Sequence, residues 1–153
     1  MMRQASRGLA LTAAMAVTAH CGPPEDPTLA LLAALEEAAE DRDADAFGER
    51  LSTDFGTQGA MNRAAVLSQL RRYFAAYENV AIEIYDVALA DDATAISFVA
   101  EFSGRPRQIG GLSGFLPPGA VYRFELELVE GGPGHLLVRD ATWEALPVPN
   151  QAR

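Results

Sequence analysis

The segment Ala120–Glu130 alternates between apolar and charged residues, and this alternation constrains the fold more than any other feature of the chain. Successive side chains of a β-strand point to opposite faces of the sheet. The segment is therefore predicted to be a strand with one apolar face and one solvated face. The rest of the chain must supply strands that pair with it and helices that cover its apolar side. The apolar residues are Tyr122, Phe124, Leu126 and Leu128, and the charged ones are Arg123, Glu125 and Glu127.

Composition limits the classes of partner and cofactor. The 153 residues are 49% hydrophobic and 22% charged, which is typical of a globular domain with a sizeable core. The net charge is −9 and every positive charge is an Arg, so a nucleic acid partner is not expected, because phosphates require a basic face. Cys21 is the single cysteine, which excludes an internal disulfide and a Cys-rich metal site. We expect no metal and no other cofactor.

The first 20 residues have the pattern of an export signal. Arg3 and Arg7 precede an uncharged, largely apolar run, Leu9–Ala19, which is too short to span a bilayer as a stable helix. Such a run is typical of the central region of a secretory signal peptide. We therefore predict that residues 1–20 are a signal peptide.

The end of this signal resembles the lipobox of bacterial lipoproteins, in which a cysteine is acylated and becomes the new N-terminus. The resemblance rests on Cys21 and on the Gly- and Pro-rich residues 22–27 that follow it. It implies lipidation of Cys21, a tether over residues 21–26 and anchoring in the cell envelope. Lipoproteins prefer Leu three residues before the cysteine and a small residue directly before it, where this chain has Thr18 and His20. The alternative is a soluble secreted or periplasmic protein, cleaved after Ala19.

Three helices are predicted in the first half of the exported chain. They are Thr28–Glu40, Ala44–Leu51 and Arg63–Tyr77, each preceded by a residue suited to an N-cap: Asp26, Asp43 and Asn62. In the first helix, Leu29, Leu32, Leu35 and Ala39 are expected to face the core, with Glu36, Glu37 and Glu40 turned away.

From Asn79 onwards the hydrophobic period changes from helical to alternating. Three further strands are predicted, Val80–Leu89, Thr94–Ser103 and His135–Leu146, and a short one near Phe55–Gln58. The fold class is therefore α+β, with three N-terminal helices packed on a curved, mainly antiparallel sheet that forms a cone. The domain is expected to cover residues 27–146, followed by a tail over residues 147–153.

This order of elements resembles the NTF2-like (SnoaL-like) superfamily, a cystatin-like α+β cone. Two segments carry the resemblance: Ala39–Phe55, which is similar to the acidic turn between the family's first two helices, and Leu136–Glu144, which is similar to its last strand. The resemblance implies a cone and a homodimer formed through the sheet, but no single activity. The base of the family's ketosteroid isomerases would fall near Gly59, and Thr28–Glu40 lacks the Tyr that those enzymes use.

Several side chains on the apolar faces are candidates for a ligand pocket inside the cone. Aromatic residues can line such a pocket and orient an apolar guest through their polar tips. The alternative for each of them is an ordinary place in the core. The candidates are Tyr73, Tyr77, Phe98, Phe102, Tyr122, Phe124 and Trp143.

Asp86 is the candidate catalytic residue. It shares one side of its predicted strand with Ile82 and Ile84, and a carboxylate in an apolar pocket can act as an acid or base. Tyr122 or Tyr73 would then donate a hydrogen bond. The alternative is that Asp86 lies at the wet end of its strand or is turned outward by a bulge.

Two other places are relevant to function. The loop Gly104–Gly119 is too long for a tight hairpin, and Arg105, Arg107 and Phe115 are its candidate lid residues. His135 lies in a turn and is expected to be exposed rather than catalytic.

A β-bulge near Asp140 is predicted in the last strand. By simple alternation, Trp143 shares a face with Arg139 and not with Leu136 and Val138, and a bulge would bring Trp143 to the same inner face as those two residues.

Three functions remain open from the sequence. The first is an envelope lipoprotein that binds a small, mostly apolar ligand, or a protein partner, without catalysis. The second is an enzyme of the isomerase or dehydratase type that uses a carboxylate in the cone. The third is a structural dimer module whose cone is filled. The volume of the cone distinguishes it from the other two, because a ligand cone needs a pocket of at least about 300 Å³.

Overall fold

The computed structural model describes residues 26–107 and 120–147. The predictions for the signal peptide, Cys21, Phe115 and most of the C-terminal tail lie outside these residues. The elements are α1 (Pro27–Glu40), α2 (Ala44–Glu49), β1 (Leu51–Gly56), α3 (Arg63–Ala76), β2 (Tyr77–Leu89), β3 (Ala95–Pro106), β4 (Ala120–Gly132) and β5 (His135–Ala145). None of the described helices is both long and apolar enough to cross a membrane.

All three predicted N-caps are confirmed by hydrogen bonds. The Asp26 Oδ1 atom accepts from the Thr28 N–H at 2.8 Å, and Pro27 occupies the first position of α1. Asp43 Oδ1 accepts from two backbone N–H groups at the start of α2, and Asn62 Oδ1 accepts from the Ala65 N–H at 2.9 Å. These side chains satisfy backbone donors that have no partner within the helix, which fixes where each helix begins.

The predicted ends of the second and third helices were wrong. In each case the last residue predicted to be helical, Leu51 or Tyr77, is instead the first residue of a strand. Leu51 begins β1, where the strand pairs in parallel with β5. Tyr77 begins β2 directly after α3, with extended backbone angles. Its carbonyl oxygen accepts hydrogen bonds from Arg42 Nη1 at 3.0 Å and Arg107 Nε at 3.1 Å. Leu51 and Tyr77 are still buried, so the apolar pattern identified their burial but not their backbone conformation.

The five strands form one sheet in the order β1-β5-β4-β3-β2. The β1–β5 pair is parallel and the other three pairs are antiparallel. The predicted alternation in β4 is confirmed, because its charged residues are exposed and its apolar side faces the helices. The inner face carries the main core, which includes Ile96, Phe98, Ala100, Leu126 and Val138.

The predicted bulge in β5 is confirmed. Leu128 pairs with Val138 and the adjacent Glu127 pairs with Asp140, so Arg139 is an extra residue in β5. The Arg139 guanidinium donates a hydrogen bond to Glu127. Because of this insertion, Val138 and Ala141 are both buried on the inner face.

The predicted inner face of α1 is confirmed for Leu32, Leu35 and Ala39, which are buried. It is wrong for Leu29, which is 43% exposed, whereas Leu31 is 5% exposed. The buried stripe overlaps the predicted one and is displaced toward Leu31, because several faces of this Ala- and Leu-rich helix are apolar enough to pack. Its buried members are Thr28, Leu31, Leu32, Leu35, Ala38 and Ala39.

Candidate ligand cavity

A cavity of about 160 Å³ lies between the helices and the inner face of the sheet. Helix α1 supplies one wall through residues spaced by three or four positions, which places them on one helical face. Strands β2 to β5 supply the opposite wall. The surface inside the cavity is apolar. The α1 wall consists of Leu32, Leu35, Glu36 and Ala39.

Four of the seven predicted pocket residues line this cavity: Phe98, Phe102, Phe124 and Trp143. The rings of Phe98 and Phe124 are stacked, with centroids 5.3 Å apart and an interplanar angle of 14°. Trp143 lies 6.3 Å from Phe124 and is 45% exposed, so it forms part of the wall where the cavity meets solvent. The aromatic residues therefore extend from the core to the mouth of the cavity.

The three predicted tyrosines form a separate group beside the cavity and are absent from its wall. The rings of Tyr73 and Tyr77 have centroids 4.6 Å apart. Burial, together with the smaller effects of the neighbouring Tyr77 and Tyr122, raises the pKa of Tyr73 to about 12. Tyr122 lies 6.0 Å from Phe102 by ring centroids, so it supports the aromatic wall from the side.

Among the described residues of the cavity wall, Glu36 is the only ionisable one, and the sequence analysis did not identify it. Glu36 was predicted to be turned largely away from the apolar side of α1, but it is partly buried, and its apolar atoms share the wall with Leu32 and Leu35. Its carboxylate lies toward solvent, because the surface inside the cavity is apolar. The spacing of these residues at i, i+3 and i+4 was the signal that could have identified Glu36.

Glu36 takes part in no ion pair within residues 26–107 and 120–147. Burial raises the pKa of the Glu36 carboxyl, and the nearby Glu40 carboxylate raises it further. Glu40 is held one turn away, where its Oε1 accepts a hydrogen bond from the Ile82 N–H at 2.9 Å. The Glu36 carboxylate thus has no cationic side chain beside it among the described residues.

Asp86 lies outside the cavity wall. It is exposed and has a positive φ of 54° within an irregular part of the β2–β3 pairing, between Tyr85 and Ala88. Ile82 and Ile84 line the cavity, as the alternation of β2 predicts, but Asp86, the next residue on that side, does not. The outward bulge that the sequence left as the alternative accounts for this position.

Arg105, Arg107 and His135 are also outside the cavity wall. Arg105 Nη1 contacts Glu78 Oε2 at 3.4 Å on the surface, and Arg107 donates to the Tyr77 carbonyl. His135 is exposed at the start of β5. Within the described ranges, no group of His, Cys, Asp and Glu side chains is arranged to hold a metal ion.

The size of the cavity restricts its guests. Its 160 Å³ is below the minimum of about 300 Å³ expected for a ligand cone, so the volume criterion points toward the filled structural module rather than toward a binder of drug-sized ligands. A cavity of about 150 Å³ lined by aliphatic and aromatic side chains is large enough for benzene. The geometry therefore suits a guest of roughly one ring, and excludes a polycyclic one.

Comparison with solved structures identifies the fold. The Bdellovibrio bacteriovorus protein Bd1075 is similar with a TM-score of 0.61 and 9% identity over 77% of this chain and 40% of that one. A cystatin-fold protein from Novosphingobium aromaticivorans is similar with a TM-score of 0.59 and 16% identity over 76% of this chain and 97% of that one. An NTF2-like protein from Cytophaga hutchinsonii has a TM-score of 0.54 and 10% identity over 78% and 90% of the respective chains. The chain has the NTF2-like fold.

The sequence resemblance to NTF2-like proteins is thus confirmed at the level of the fold. No protein-family model and no curated protein sequence matches the chain. At identities of 9 to 16%, the similar structures give the NTF2-like architecture and no activity. The chain also spans well under half of the Bdellovibrio protein. The function must be argued from the cavity.

Proposed function

We propose that this NTF2-like domain binds a small, mostly apolar molecule of about one ring in its cavity. The observation that carries the proposal is the open, apolar space of about 160 Å³ between α1 and the sheet. Water gains little there, because a water molecule in a protein interior needs two to four polar partners. An apolar guest gains the hydrophobic free energy of about 25 cal/mol for each Å² of its surface that leaves water.

Binding is favoured over the isomerase or dehydratase alternative by the composition of the wall. Among the described residues that line the cavity, Glu36 is the only ionisable one, and none carries a hydroxyl group. An enzyme of that type needs a donor aimed at the developing oxyanion in addition to its base. Asp86 and the three tyrosines lie outside the cavity wall, so the wall contains an acidic residue that could be the base, Glu36, but no donor for the oxyanion.

The proposal is tested by titrating the exported domain with toluene. Trp143 is the only tryptophan of the chain and lies in the cavity wall, so its fluorescence reports directly on a bound guest. We expect saturable binding with a Kd on the order of 1 mM or tighter, which is reasonable for a ligand of seven carbon atoms. Wild-type protein whose fluorescence and melting temperature are unaffected by saturating toluene would exclude the proposal.

A matched pair of substitutions on α1 identifies the binding site. Ala39→Leu adds three carbon atoms in the cavity wall and is expected to weaken toluene binding at least tenfold. Ala33→Leu makes the same change at an exposed position of the same helix and should leave binding unchanged. The melting temperature of each variant shows whether the fold is retained, because overpacking alone typically costs about 1–3 kcal/mol.

We also propose that the domain is exported and anchored to the cell envelope by a lipid on Cys21. The support for this is the signal-like sequence of residues 1–20 and the Gly- and Pro-rich tether after the cysteine. A lipid anchor would hold an acidic domain at a membrane that would otherwise repel it.

A further inference from the structure

We propose that a second site, on the surface of the domain, binds a small oxyanion such as a phosphate or a carboxylate. The site is a polar cleft of about 570 Å³ where the end of α1, the start of α2 and the end of α3 meet. Among the described residues it shares no lining residue with the cavity. We call it the arginine cleft, and its charged lining residues are Asp41, Arg42, Asp43, Asp45, Arg71 and Arg107.

Two arginines from distant parts of the chain converge in this cleft. Arg42 Nη1 donates to the Tyr77 carbonyl oxygen at 3.0 Å, and Arg107 Nε donates to the same oxygen at 3.1 Å. These distances keep the two donor nitrogens within about 6 Å of each other, where like charges repel. The Arg42 backbone N–H donates to the Ala39 carbonyl at 3.1 Å. The Arg107 backbone N–H donates to the Ala76 carbonyl at 2.8 Å, so the fold holds both positive charges in place.

The counter-charge for this arginine pair is incomplete. Neither guanidinium takes part in an ion pair within residues 26–107 and 120–147. Tyr77 follows the last residue of α3, and the C-terminal end of a helix carries about half of a negative elementary charge, against two positive ones here. Residues 108–119, which follow Arg107 in the chain, contain no acidic residue. A bound anion would supply the charge that is missing.

The three aspartates of the cleft match its arginines in number but not in place. Asp43 Oδ1 accepts hydrogen bonds from two backbone N–H groups at the start of α2. Asp45 Oδ1 contacts Arg71 Nη2 at 2.6 Å. Asp41 is exposed and makes no ion pair in the part of the chain that the structure describes. The charge beside the Tyr77 carbonyl is therefore positive.

An oxyanion suits the remaining donors of the pair. A guanidinium group has five N–H donors in a fixed planar fork. Among the described residues, Arg42 and Arg107 each use one side-chain donor, on the Tyr77 carbonyl. Their other N–H groups can bind several oxygens of one phosphate or carboxylate. A cation would be repelled, and an apolar molecule would gain little from a polar wall.

The test titrates inorganic phosphate into the exported domain at neutral pH and follows the heat of binding by calorimetry. Sodium chloride at the same ionic strength is the reference, because added salt screens the repulsion between the arginines without specific binding. We expect saturable binding of phosphate with a Kd on the order of 1 mM, and a higher melting temperature than in chloride. Sodium acetate, titrated in the same way, shows whether a carboxylate is sufficient.

Two substitutions of exposed arginines assign the binding to the cleft. Arg107→Gln removes one guanidinium of the pair and should weaken phosphate binding about tenfold. Arg72→Gln removes the same charge from an exposed position of α3 outside the cleft, and should change binding by less than about twofold. Equal losses in the two variants would overturn the assignment, because they would show a general effect of net charge.

Arg71→Gln keeps the test decisive if the loss of the Arg107 hydrogen bond unfolds the domain. The Arg71 side chain is 56% exposed, so its replacement should leave the fold intact. Without Arg71, Asp45 adds an unpaired negative charge to the cleft, and phosphate binding should weaken about threefold, the usual size for one exposed charge pair. Unchanged binding in this variant would overturn the inference.

The inference does not rest on the cavity, so its outcome and that of the toluene titration are independent. If phosphate and acetate have no more effect than chloride on the wild-type protein, the oxyanion site is overturned and the binding of apolar guests stands. If phosphate binds and toluene does not, the arginine cleft stands without the proposed function.

Discussion

At the scale of single residues, helix α1 was predicted correctly, but the place of its Glu36 side chain in the cavity wall was not. The sequence of α1 identified the helix and its N-cap, but its Leu and Ala residues occupy more than one face. Glu36 was therefore assigned to the solvated side together with Glu37 and Glu40. Only the packing of α1 against β2 and β5 decides which stripe is buried, and that information is not contained in the helix itself.

The raised pKa of Glu36 predicts a specific dependence of stability on pH. Between its ordinary pKa of 4.5 and the raised value, the folded protein binds more protons at this site than the unfolded chain does. The cost of the charged carboxylate is therefore absent below pH 4.5 and fully present above the raised pKa, so this contribution to stability falls as pH rises.

We expect Glu36→Gln to stabilise the domain at pH 7 by about 0.2–0.5 kcal/mol, the usual size of a like-charge pair at i and i+4. The gain should shrink as the pH falls through the raised pKa of Glu36 toward 4.5 and below, because the Glu36 carboxyl of the folded protein then becomes neutral. Urea unfolding at pH 7 and pH 4 measures the difference. Glu130→Gln, which removes a charge from an exposed position of β4, is the control. A gain that is the same at both pH values would contradict the assignment.

At the scale of elements, the type and order of the helices and the four long strands were predictable, whereas several boundaries were not. Leu51 and Tyr77 continue the apolar pattern of the helices before them, so periodicity extended those helices too far. Their strand conformation depends on partners distant in sequence: β5 for Leu51, and Arg42 and Arg107 for Tyr77. The positive φ of Asp86 is likewise part of an irregular pairing that no local pattern revealed.

The short helix α2 should depend strongly on its cap. It has only six residues, and Asp43 Oδ1 accepts hydrogen bonds from the Asp45 and Ala46 N–H groups at 3.0 and 2.9 Å. Asp43→Ala is expected to lower the free energy of unfolding by about 1 kcal/mol, as for other lost N-caps. Asp41→Ala is the control, because Asp41 caps the end of α1 through its backbone N–H. Chemical denaturation compares the two, and equal losses would argue against the cap.

At the scale of the whole molecule, the alternation of β4 and the change of period near Asn79 were enough to predict an α+β cone. The volume inside the cone was not predictable, since it depends on how large and small side chains interdigitate at the wall. Ala39, Ala100 and Ala141 all line the space, and each leaves room that a larger side chain would occupy. The candidate aromatic residues were therefore identified by type, and only the structure separated Phe102 from its neighbour Tyr122.

The proposed lipid anchoring of the protein in the cell envelope is tested by the mass of the mature protein. Gentle extraction from the cell envelope followed by native mass spectrometry should give a chain that begins at Cys21 and carries a diacyl or triacyl modification. Cys21→Ser should remove the lipid and release the domain from the membrane fraction. A chain that begins at His20 would show plain secretion instead. The same spectrum reports the number of subunits and any retained guest.

The extra residue at Arg139 gives β5 a property that its composition does not suggest. The strand has two reading frames, and Arg139 is the point at which one changes to the other. Removing that one residue would leave Asp140 alone between Val138 and Ala141, so both of them, and Trp143 after them, would still face the cone by simple alternation. A one-residue deletion in a regular strand has the opposite effect, because it turns every following side chain over. At this one place β5 can therefore lose a residue and keep the chemistry of its cavity wall, and what it would lose is the local bend and the contact of the guanidinium with Glu127.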